Sequence, residues 1–256
     1  MVVRRVRSWM HVEKLTVVFE VTYRCPFSCP HCFQPKNLSR EVSPNEFHFV
    51  LNLIKKVTDF KHATVILSGG EPCTARHLST YIDIAKHLGY DVVLETRWLP
   101  PMTVLGHLKH VVVSIDSWNL ELGKAVVNYV RRLGGRVAVR TTLVRNGLST
   151  LSEILNFCMS KNIPLAVAPY IGTNTDLRPT KFEVQKALDM LSMYREVYYM
   201  SNCMVGKSIV VDPYLNARSC VFLFDDVISI VHYREKAIEK VLQSKKYRCI
   251  EYGLVP

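Results

Sequence analysis

Three cysteines lie close enough together in one segment to bind a metal cluster. Cys25, Cys29 and Cys32 form a C-x3-C-x2-C pattern directly after a largely apolar stretch, residues 15–21, which is typical of a strand. Three thiolates in one loop can hold three corners of a 4Fe–4S cube and leave the fourth iron open to another ligand. The spacing therefore predicts iron–sulfur chemistry at this loop.

A second segment suited to ligand binding is the sequence LSGGEP at residues 67–72, where the second apolar stretch ends. Gly69 and Gly70 allow the backbone to approach a ligand closely and expose its N–H and C=O groups. Glu71 adds a carboxylate, and Pro72 restricts the turn that follows. The segment predicts a binding turn one strand after the cysteine loop.

The cysteines also allow two other interpretations. Cys29 and Cys32 form a C-x-x-C motif after a strand, as in thioredoxin-like disulfide oxidoreductases, where His31 would lower a thiol pKa. Zinc binding by the three cysteines and His31 is the second alternative. A redox dithiol requires neither Cys25 nor the paired glycines. The adjacent His31 and Cys32 do not form the two separated ligand pairs of a common zinc site.

The whole chain has the properties of a globular protein. It has 256 residues, of which 48% are hydrophobic and 21% charged, enough for one large α/β domain or one domain with a small appendage. Its apolar stretches are too short to span a bilayer, and residues 1–14 lack the apolar region of a signal peptide, so we expect a cytoplasmic protein with no membrane partner. The formal charge of +11 permits an RNA partner, although the basic residues are spread along the chain.

Alternating strands and helices must position the two motifs. Strands are predicted at residues 15–21, 63–67, 91–94, 110–115, 136–143 and 165–169, and helices at residues 44–60, 74–88, 102–108, 120–133 and 149–161. This alternation predicts βα units and a parallel sheet. Six units are too few for a closed eight-stranded barrel. We therefore expect an α/β fold of the partial (β/α)6 TIM type, with its site at the C-terminal ends of the strands.

The alternation stops after residue 169. A helix at residues 179–200, a hairpin of strands 208–212 and 217–220, and a basic helix at residues 233–246 are predicted there. We therefore predict a core at residues 1–175, with its barrel starting at about residue 13. A small C-terminal extension, residues 176–256, carries Cys203, Cys220 and Cys249.

Over residues 13–170 these motifs together resemble the radical S-adenosylmethionine (radical SAM) enzymes. The resemblance implies that Cys25, Cys29 and Cys32 ligate a 4Fe–4S cluster whose open iron is chelated by the amino and carboxylate groups of S-adenosylmethionine. It also implies that residues 69–72 receive the amino group. In this family one electron cleaves the sulfonium C–S bond, and the resulting 5′-deoxyadenosyl radical removes a hydrogen atom from the substrate.

The resemblance implies further cofactor contacts near the strand ends. Residues 166–170 match a strand that often packs on adenine. His31 stands where the family usually has an aromatic residue, and Phe33 follows instead, which puts the adenine contact in doubt. The residues implied for the methionine and ribose parts of the cofactor are Ser114, Asp116, Arg140, Thr142 and Asn146.

The C-terminal cysteines are similar to those of the SPASM or shorter twitch extensions of the same family. This likeness implies an auxiliary Fe–S cluster at Cys203, Cys220 and Cys249, although full SPASM extensions contain more cysteines. A disulfide between Cys203 and Cys220, or two buried thiols, is the alternative. Cys73 and Cys158 are predicted to be buried residues of the protein interior.

We therefore expect an enzyme that acts on a peptide or protein side chain or on a small metabolite. The resemblance also implies an external electron donor such as a ferredoxin or flavodoxin. RNA or nucleotide modification is a second enzymatic hypothesis, which the positive charge permits. A non-catalytic Fe–S electron carrier or a C-x-x-C dithiol protein is the hypothesis from another class.

Overall fold

A ten-stranded sheet forms the centre of the described part of the chain. The computed structural model describes residues 10–35, 38–172, 174–192, 194, 197–199, 207–223 and 225–244. The strands are β1 (Met10–Thr22), β2 (Thr58–Gly69), β3 (Asp91–Thr96), β4 (His110–Ser114), β5 (Val137–Leu143), β6 (Leu165–Pro169), β7 (Val197–Tyr199), β8 (Ser208–Val211), β9 (Asn216–Arg218) and β10 (Ile228–Ser229). The helices are α1 (Pro44–Val57), α2 (Leu78–His87), α3 (Met102–Leu105), α4 (Leu120–Arg132), α5 (Leu148–Ser160), α6 (Lys181–Leu191), α7 (Ile230–Tyr233) and α8 (Glu235–Gln243).

The sheet is open and mostly parallel. Its strand order is β10-β9-β8-β1-β2-β3-β4-β5-β6-β7, so β7 and β10 are the two edges. Every neighbouring pair from β1 to β7 is parallel, and helices connect β1 through β6. Parallel strands joined in this way bring their C-terminal ends to one side of the sheet. The predicted α/β alternation and the open sheet are confirmed.

Apolar residues hold the helices against the outer face of the sheet. One buried cluster joins β1–β3 to α1, α2 and α8, with Phe19 and Phe47 at its centre. A second joins β4–β6 to α4, α5 and α6, and includes Cys158, as predicted. The opposite face of the same strands carries polar residues near the strand ends. This division leaves the inner face available for chemistry.

The helices predicted at residues 44–60, 74–88 and 102–108 are each too long, and the two C-terminal helices differ more strongly. The helix expected at residues 179–200 is α6, Lys181–Leu191, and the chain then forms β7, which pairs with β6. Strand β7 forms because the backbone of β6 provides hydrogen-bond partners for this short segment of β-branched and aromatic residues. A local sequence pattern cannot show that such a neighbouring strand is present. The basic helix is divided into α7 and α8 at Arg234, whose φ is +45°. None of the helices in the described ranges has the length and apolar character needed to cross a bilayer.

The predicted C-terminal hairpin is present and joins the core sheet. Strand β8 runs parallel to β1, and β9 pairs antiparallel with β8. The extension therefore continues the sheet of the core on the side opposite β7. The division of the chain near residue 175 stays a prediction.

Candidate active site

The C-terminal ends of the strands surround a cavity of about 760 Å³. This volume is in the range of about 300–1,000 Å³ that is common for small-molecule sites. The cavity brings together most of the residues that the sequence singled out, although they come from separate loops and strands. Its lining includes Cys25, Cys29, Cys32, His31, Phe33, Gly69, Gly70, Glu71, Ser114, Asp116, Arg140, Thr142 and residues 168–170.

Other predicted site residues lie elsewhere. Pro72 is buried at the start of a short 3-10 turn and does not line the cavity. Asn146 is exposed in the left-handed turn after β5 (φ +60°), where its N–H donates to Glu183 at 2.5 Å. Cys220 follows β9 outside the cavity lining, and Cys203 and Cys249 fall outside the described residues. The auxiliary cluster therefore stays a prediction.

The cysteine loop lies between β1 and α1. Cys29 is only 3% exposed, whereas Cys25 and Cys32 are exposed, and all three are free cysteines. Burial raises the pKa of Cys25 and of Cys29 above the usual thiol value. The N–H of Cys32 donates to the carbonyl oxygen of Cys29 at 3.1 Å, so the last two cysteines share one turn.

The paired glycines bring the end of β2 against the cysteine loop. Gly70 N–H donates to the Thr22 carbonyl at 2.7 Å, and Glu71 N–H donates to the Arg24 carbonyl at 2.8 Å. A Cβ atom on Gly69 would lie 2.3 Å from the Thr22 oxygen, and one on Gly70 would lie 2.3 Å from the Arg24 oxygen. Gly69 also has a φ of +121°, which favours glycine. Because these N–H groups are already used, a ligand here would meet carbonyl oxygens.

The Glu71 carboxylate holds this turn to β3. It is 2% exposed and accepts hydrogen bonds from the Cys73 N–H (3.0 Å), the Thr96 hydroxyl (2.5 Å) and the Arg97 N–H (2.9 Å). Cys73 is half-buried, and burial raises the pKa of its thiol. The Cys73 sulfur is 3.3 Å from the Thr96 hydroxyl and does not line the cavity, so Cys73 packs against the core but is only partly buried, not fully buried as predicted.

Arg97 is a site residue that sequence reasoning missed. It directly follows β3, and its Nη1 group donates to the sulfur of Cys29. Its Nη2 group donates to Asp116 Oδ2 at 2.9 Å and lies 3.3 Å from His31 Nε2. Polar residues at the C-terminal ends of parallel strands are the signal that would have identified it.

His31 is a buried neutral imidazole. Burial, opposed by the Asp116 carboxylate, lowers the pKa of His31 to about 4, so the ring is uncharged near pH 7. Its ring centroid lies 4.4 Å from that of Trp118. Phe33 instead makes an edge contact with Phe222, at 4.9 Å between centroids, and both phenylalanines line the cavity. The adenine contact stays a prediction.

A second charged pair consists of Arg140, which the sequence analysis predicted as a site residue, and Glu95, which it did not identify. The Arg140 guanidinium donates to the Glu95 carboxylate, which also accepts from the Ser68 hydroxyl at 3.2 Å. Attraction by Glu95 raises the pKa of Arg140, so the guanidinium stays charged. Both side chains line the cavity and are partly exposed. An adjacent cation and anion can receive the carboxylate and the ammonium of an amino acid.

Comparison with solved structures identifies proteins that share this fold. No family model matches the chain. Among solved structures, Streptococcus suis SuiB bound to S-adenosylmethionine superposes with a TM-score of 0.70 at 13% identity, over 95% of this chain and 72% of that one. The protein anSMEcpe with bound AdoMet and Cp18Cys peptide superposes with a TM-score of 0.69 at 14% identity, over 93% of this chain and 82% of that one. The chain shares the fold of these two proteins.

The cavity contains groups that fit the cofactors implied by the sequence resemblance. Gln34 Oε1 and His31 Nδ1 are buried without a hydrogen-bond partner among the described residues, and both residues line the cavity. Within the same residues, no three His, Cys, Asp or Glu side chains converge on one metal ion, as a mononuclear zinc site requires. A 4Fe–4S cube binds each thiolate to a different iron, so its ligands need not converge.

Proposed function

We propose that this chain is a radical SAM enzyme. Cys25, Cys29 and Cys32 would hold a 4Fe–4S cluster, and the cavity beside them would hold S-adenosylmethionine. When bound and reduced, the cluster supplies the electron that cleaves S-adenosylmethionine to methionine and a 5′-deoxyadenosyl radical, which takes a hydrogen atom from the substrate. The observation that carries the proposal is the meeting of three thiols, a glycine turn and a charged pair in one cavity of this fold.

The chain's own residues would hold the methionine part of the cofactor. Carbonyl oxygens of the turn at residues 69–72 are suited to accept hydrogen bonds from the ammonium group, since the N–H groups of Gly70 and Glu71 are used internally. The Arg140 guanidinium is suited to the carboxylate, with Glu95 holding it in place until the cofactor binds. Both interactions orient the sulfonium relative to the thiols.

Ser114 and Asp116 would have different roles in cofactor binding. Asp116 is 3% exposed and accepts from Arg97 (2.9 Å) and from the Thr142 N–H (3.0 Å). Its carboxylate is therefore suited to hold the loops that follow β3, β4 and β5 together. The Ser114 hydroxyl is the group at the end of β4 that we assign to contact the cofactor.

A peptide or protein side chain is the substrate class that we favour over a small metabolite. SuiB has been solved bound to the precursor peptide SuiA, with a TM-score of 0.69 at 13% identity over 95% of this chain and 70% of that one. anSMEcpe has been solved with the Cp18Cys peptide. These structures share the fold of this chain, whose cavity lies at the C-terminal ends of the strands.

The charges around the cavity argue against RNA as the substrate. RNA binding depends on guanidinium and ammonium groups that are available to phosphates. Each arginine of the cavity lining is paired with a carboxylate of the protein, so these arginines add little net positive charge for a chain of phosphates, although the partly exposed Arg140 can still meet one cofactor carboxylate. The pairs are Arg24–Glu41, Arg97–Asp116 and Arg140–Glu95.

The dithiol alternative is disfavoured by the same site. A nucleophilic thiol of a C-x-x-C motif needs a pKa below the usual thiol value. Burial instead raises the pKa of Cys29.

We also propose an external one-electron donor such as a ferredoxin or flavodoxin, and a reducing compartment such as the cytoplasm, in which the three thiols would stay reduced.

Anaerobic reconstitution with iron and sulfide tests this function. We expect about four irons per chain if one cluster binds, and about eight if the auxiliary cluster exists as well. With dithionite and S-adenosylmethionine, the reconstituted protein should form 5′-deoxyadenosine and methionine. Cys29→Ala should abolish 5′-deoxyadenosine formation, whereas Cys158→Ala, in α5 away from the cavity, should retain it. Product formation by the Cys29 variant would refute the ligand assignment.

A further inference from the structure

We propose that Arg97 is a positioning residue that raises the reduction potential of the cluster through its contact with Cys29. The inference rests on the proposed function, because it assigns Cys29 as a cluster ligand. Arg97 belongs to neither of the two sequence motifs and comes from the end of β3. Its role would be to make one-electron reduction easier.

Both the backbone and the guanidinium group of Arg97 are held by hydrogen bonds. Its backbone N–H donates to Glu71 at 2.9 Å, and its Nη2 group donates to Asp116 at 2.9 Å. The guanidinium also lies over the Trp118 ring, 5.6 Å from the centroid. The side chain is 18% exposed. These contacts direct Nη1 towards the sulfur of Cys29.

The hydrogen bond from Arg97 affects a sulfur that is shielded from water. Cys29 is buried, and Nη1 donates to its sulfur from a group that carries a full positive charge. Reduction adds one negative charge to an Fe–S cluster. Hydrogen bonds to the ligand sulfurs and nearby positive charge therefore stabilise the reduced state and raise the potential.

Asp116 provides an opposing charge in the same network. Its carboxylate is buried against Arg97 and lies 3.6 Å from the Nε2 atom of His31. A buried negative charge beside the cluster disfavours reduction. Loss of the Arg97 charge and loss of the Asp116 charge should therefore shift the potential in opposite directions. A purely structural role for the pair does not predict opposite signs.

The test is a redox titration of the reconstituted protein without S-adenosylmethionine, followed by the EPR signal of the reduced cluster. For Arg97→Gln we expect about a tenfold decrease in the equilibrium constant for one-electron reduction, which corresponds to about 59 mV. One charge several ångströms away in a medium of effective dielectric constant about 20 gives an effect at least this large, and the negative charge of Asp116 offsets part of it. Arg97→Lys keeps the charge and should recover part of the shift, and Asp116→Asn should shift the potential to more positive values.

The control is Arg136→Gln, which removes the same charge from an exposed position just before β5, at the opposite end of the strands. Its potential should equal that of the wild type. An unchanged potential in Arg97→Gln, or a shift of the same sign in Asp116→Asn, overturns the inference. If Arg97→Gln takes up no iron, the signs measured for Arg97→Lys and Asp116→Asn decide. A wild-type protein that binds no iron would overturn the proposed function itself.

Discussion

At the scale of single residues, burial separates side chains that hold the site together from those that can meet a ligand. Glu71 and Asp116 both belong to motifs that suggest cofactor binding, yet each is almost completely buried and accepts several hydrogen bonds from the protein. Arg140 and Ser114 remain partly exposed in the cavity. The first pair orders the loops, and the second pair is available to a ligand of the cavity.

Glu71→Ala should destabilise the apoprotein. The substitution leaves the N–H groups of Cys73 and Arg97 without their acceptor inside the protein, a loss of about 1–3 kcal/mol in the free energy of unfolding. Urea unfolding followed by circular dichroism measures it. Glu121→Ala, at a side chain that is 83% exposed, should change stability by less than about 0.5 kcal/mol. Equal unfolding midpoints for the two variants would contradict the anchoring role.

At the scale of elements, the start of α1 follows the sequence signal closely. Ser43 and Glu46 form a capping box, with the Ser43 N–H donating to the Glu46 carboxylate at 2.8 Å, and Pro44 is the first helical residue. Although partial burial opposes ionisation, hydrogen bonds from Ser43 and the charge of Arg40 lower the pKa of Glu46 below its ordinary value. The ionised carboxylate therefore stabilises the folded state.

This cap should make stability depend on pH. A carboxyl group whose pKa is lowered by folding contributes stability above its unfolded pKa and loses it as the pH falls through its folded pKa. Wild type should therefore exceed Glu46→Gln in unfolding free energy at pH 7. The difference should persist to about pH 5 and shrink below the ordinary value of 4.5. Urea unfolding at pH 7, 5 and 3.5 measures this difference, and a constant difference would contradict the assignment.

The C-terminal hairpin is tied to the cysteine loop by a buried ion pair. Arg218 of β9 donates to Glu20 of β1 at 2.6 Å, and neither residue is exposed. The same carboxylate accepts from the Gln34 amide at 2.7 Å, and Gln34 belongs to the cysteine loop. Strand β9 therefore supports the site from the far side of β8.

Arg218→Met should cost about 3–5 kcal/mol, because it leaves the Glu20 carboxylate buried without its charged partner. The double variant with Glu20→Met should recover much of this loss, since two apolar side chains replace both charges. A double-mutant cycle of urea unfolding free energies measures the coupling between the two residues. Additive effects of the two substitutions would show that the pair is not coupled.

At the scale of the whole molecule, net charge and site charge predict different responses to RNA. The chain carries +11, but the arginines lining the cavity are paired with carboxylates. We expect RNA to bind non-specifically at 50 mM salt and to lose most of its affinity by about 200 mM. At the higher salt, added RNA should leave 5′-deoxyadenosine formation unchanged. Modification of the RNA in step with 5′-deoxyadenosine would establish it as the substrate.

Much of the fold was predictable because its signals are local. Strands β1 to β6 contain nearly continuous apolar stretches, and all six were predicted, although β1 and β2 each begin five residues earlier than expected. Strand β7 was not, because a three-residue strand is defined by pairing with β6 rather than by its own pattern. Asn146 was predicted to contact the cofactor because it follows the fifth strand. The structure instead places it in a left-handed turn, a conformation that asparagine adopts readily, and outside the cavity lining.

The sequence by itself predicted the class of chemistry and determined the architecture, since the cysteine spacing, the paired glycines and the βα alternation lie within short segments. Only the tertiary structure decided which polar groups meet. Arg97 and Cys29 are 68 residues apart in the chain, Arg140 and Glu95 are 45 apart, and Arg218 and Glu20 are 198 apart. Hydrophobic periodicity determines which face of a strand is buried. The pairing of polar side chains at the strand ends depends in addition on the strand order and register of the whole sheet.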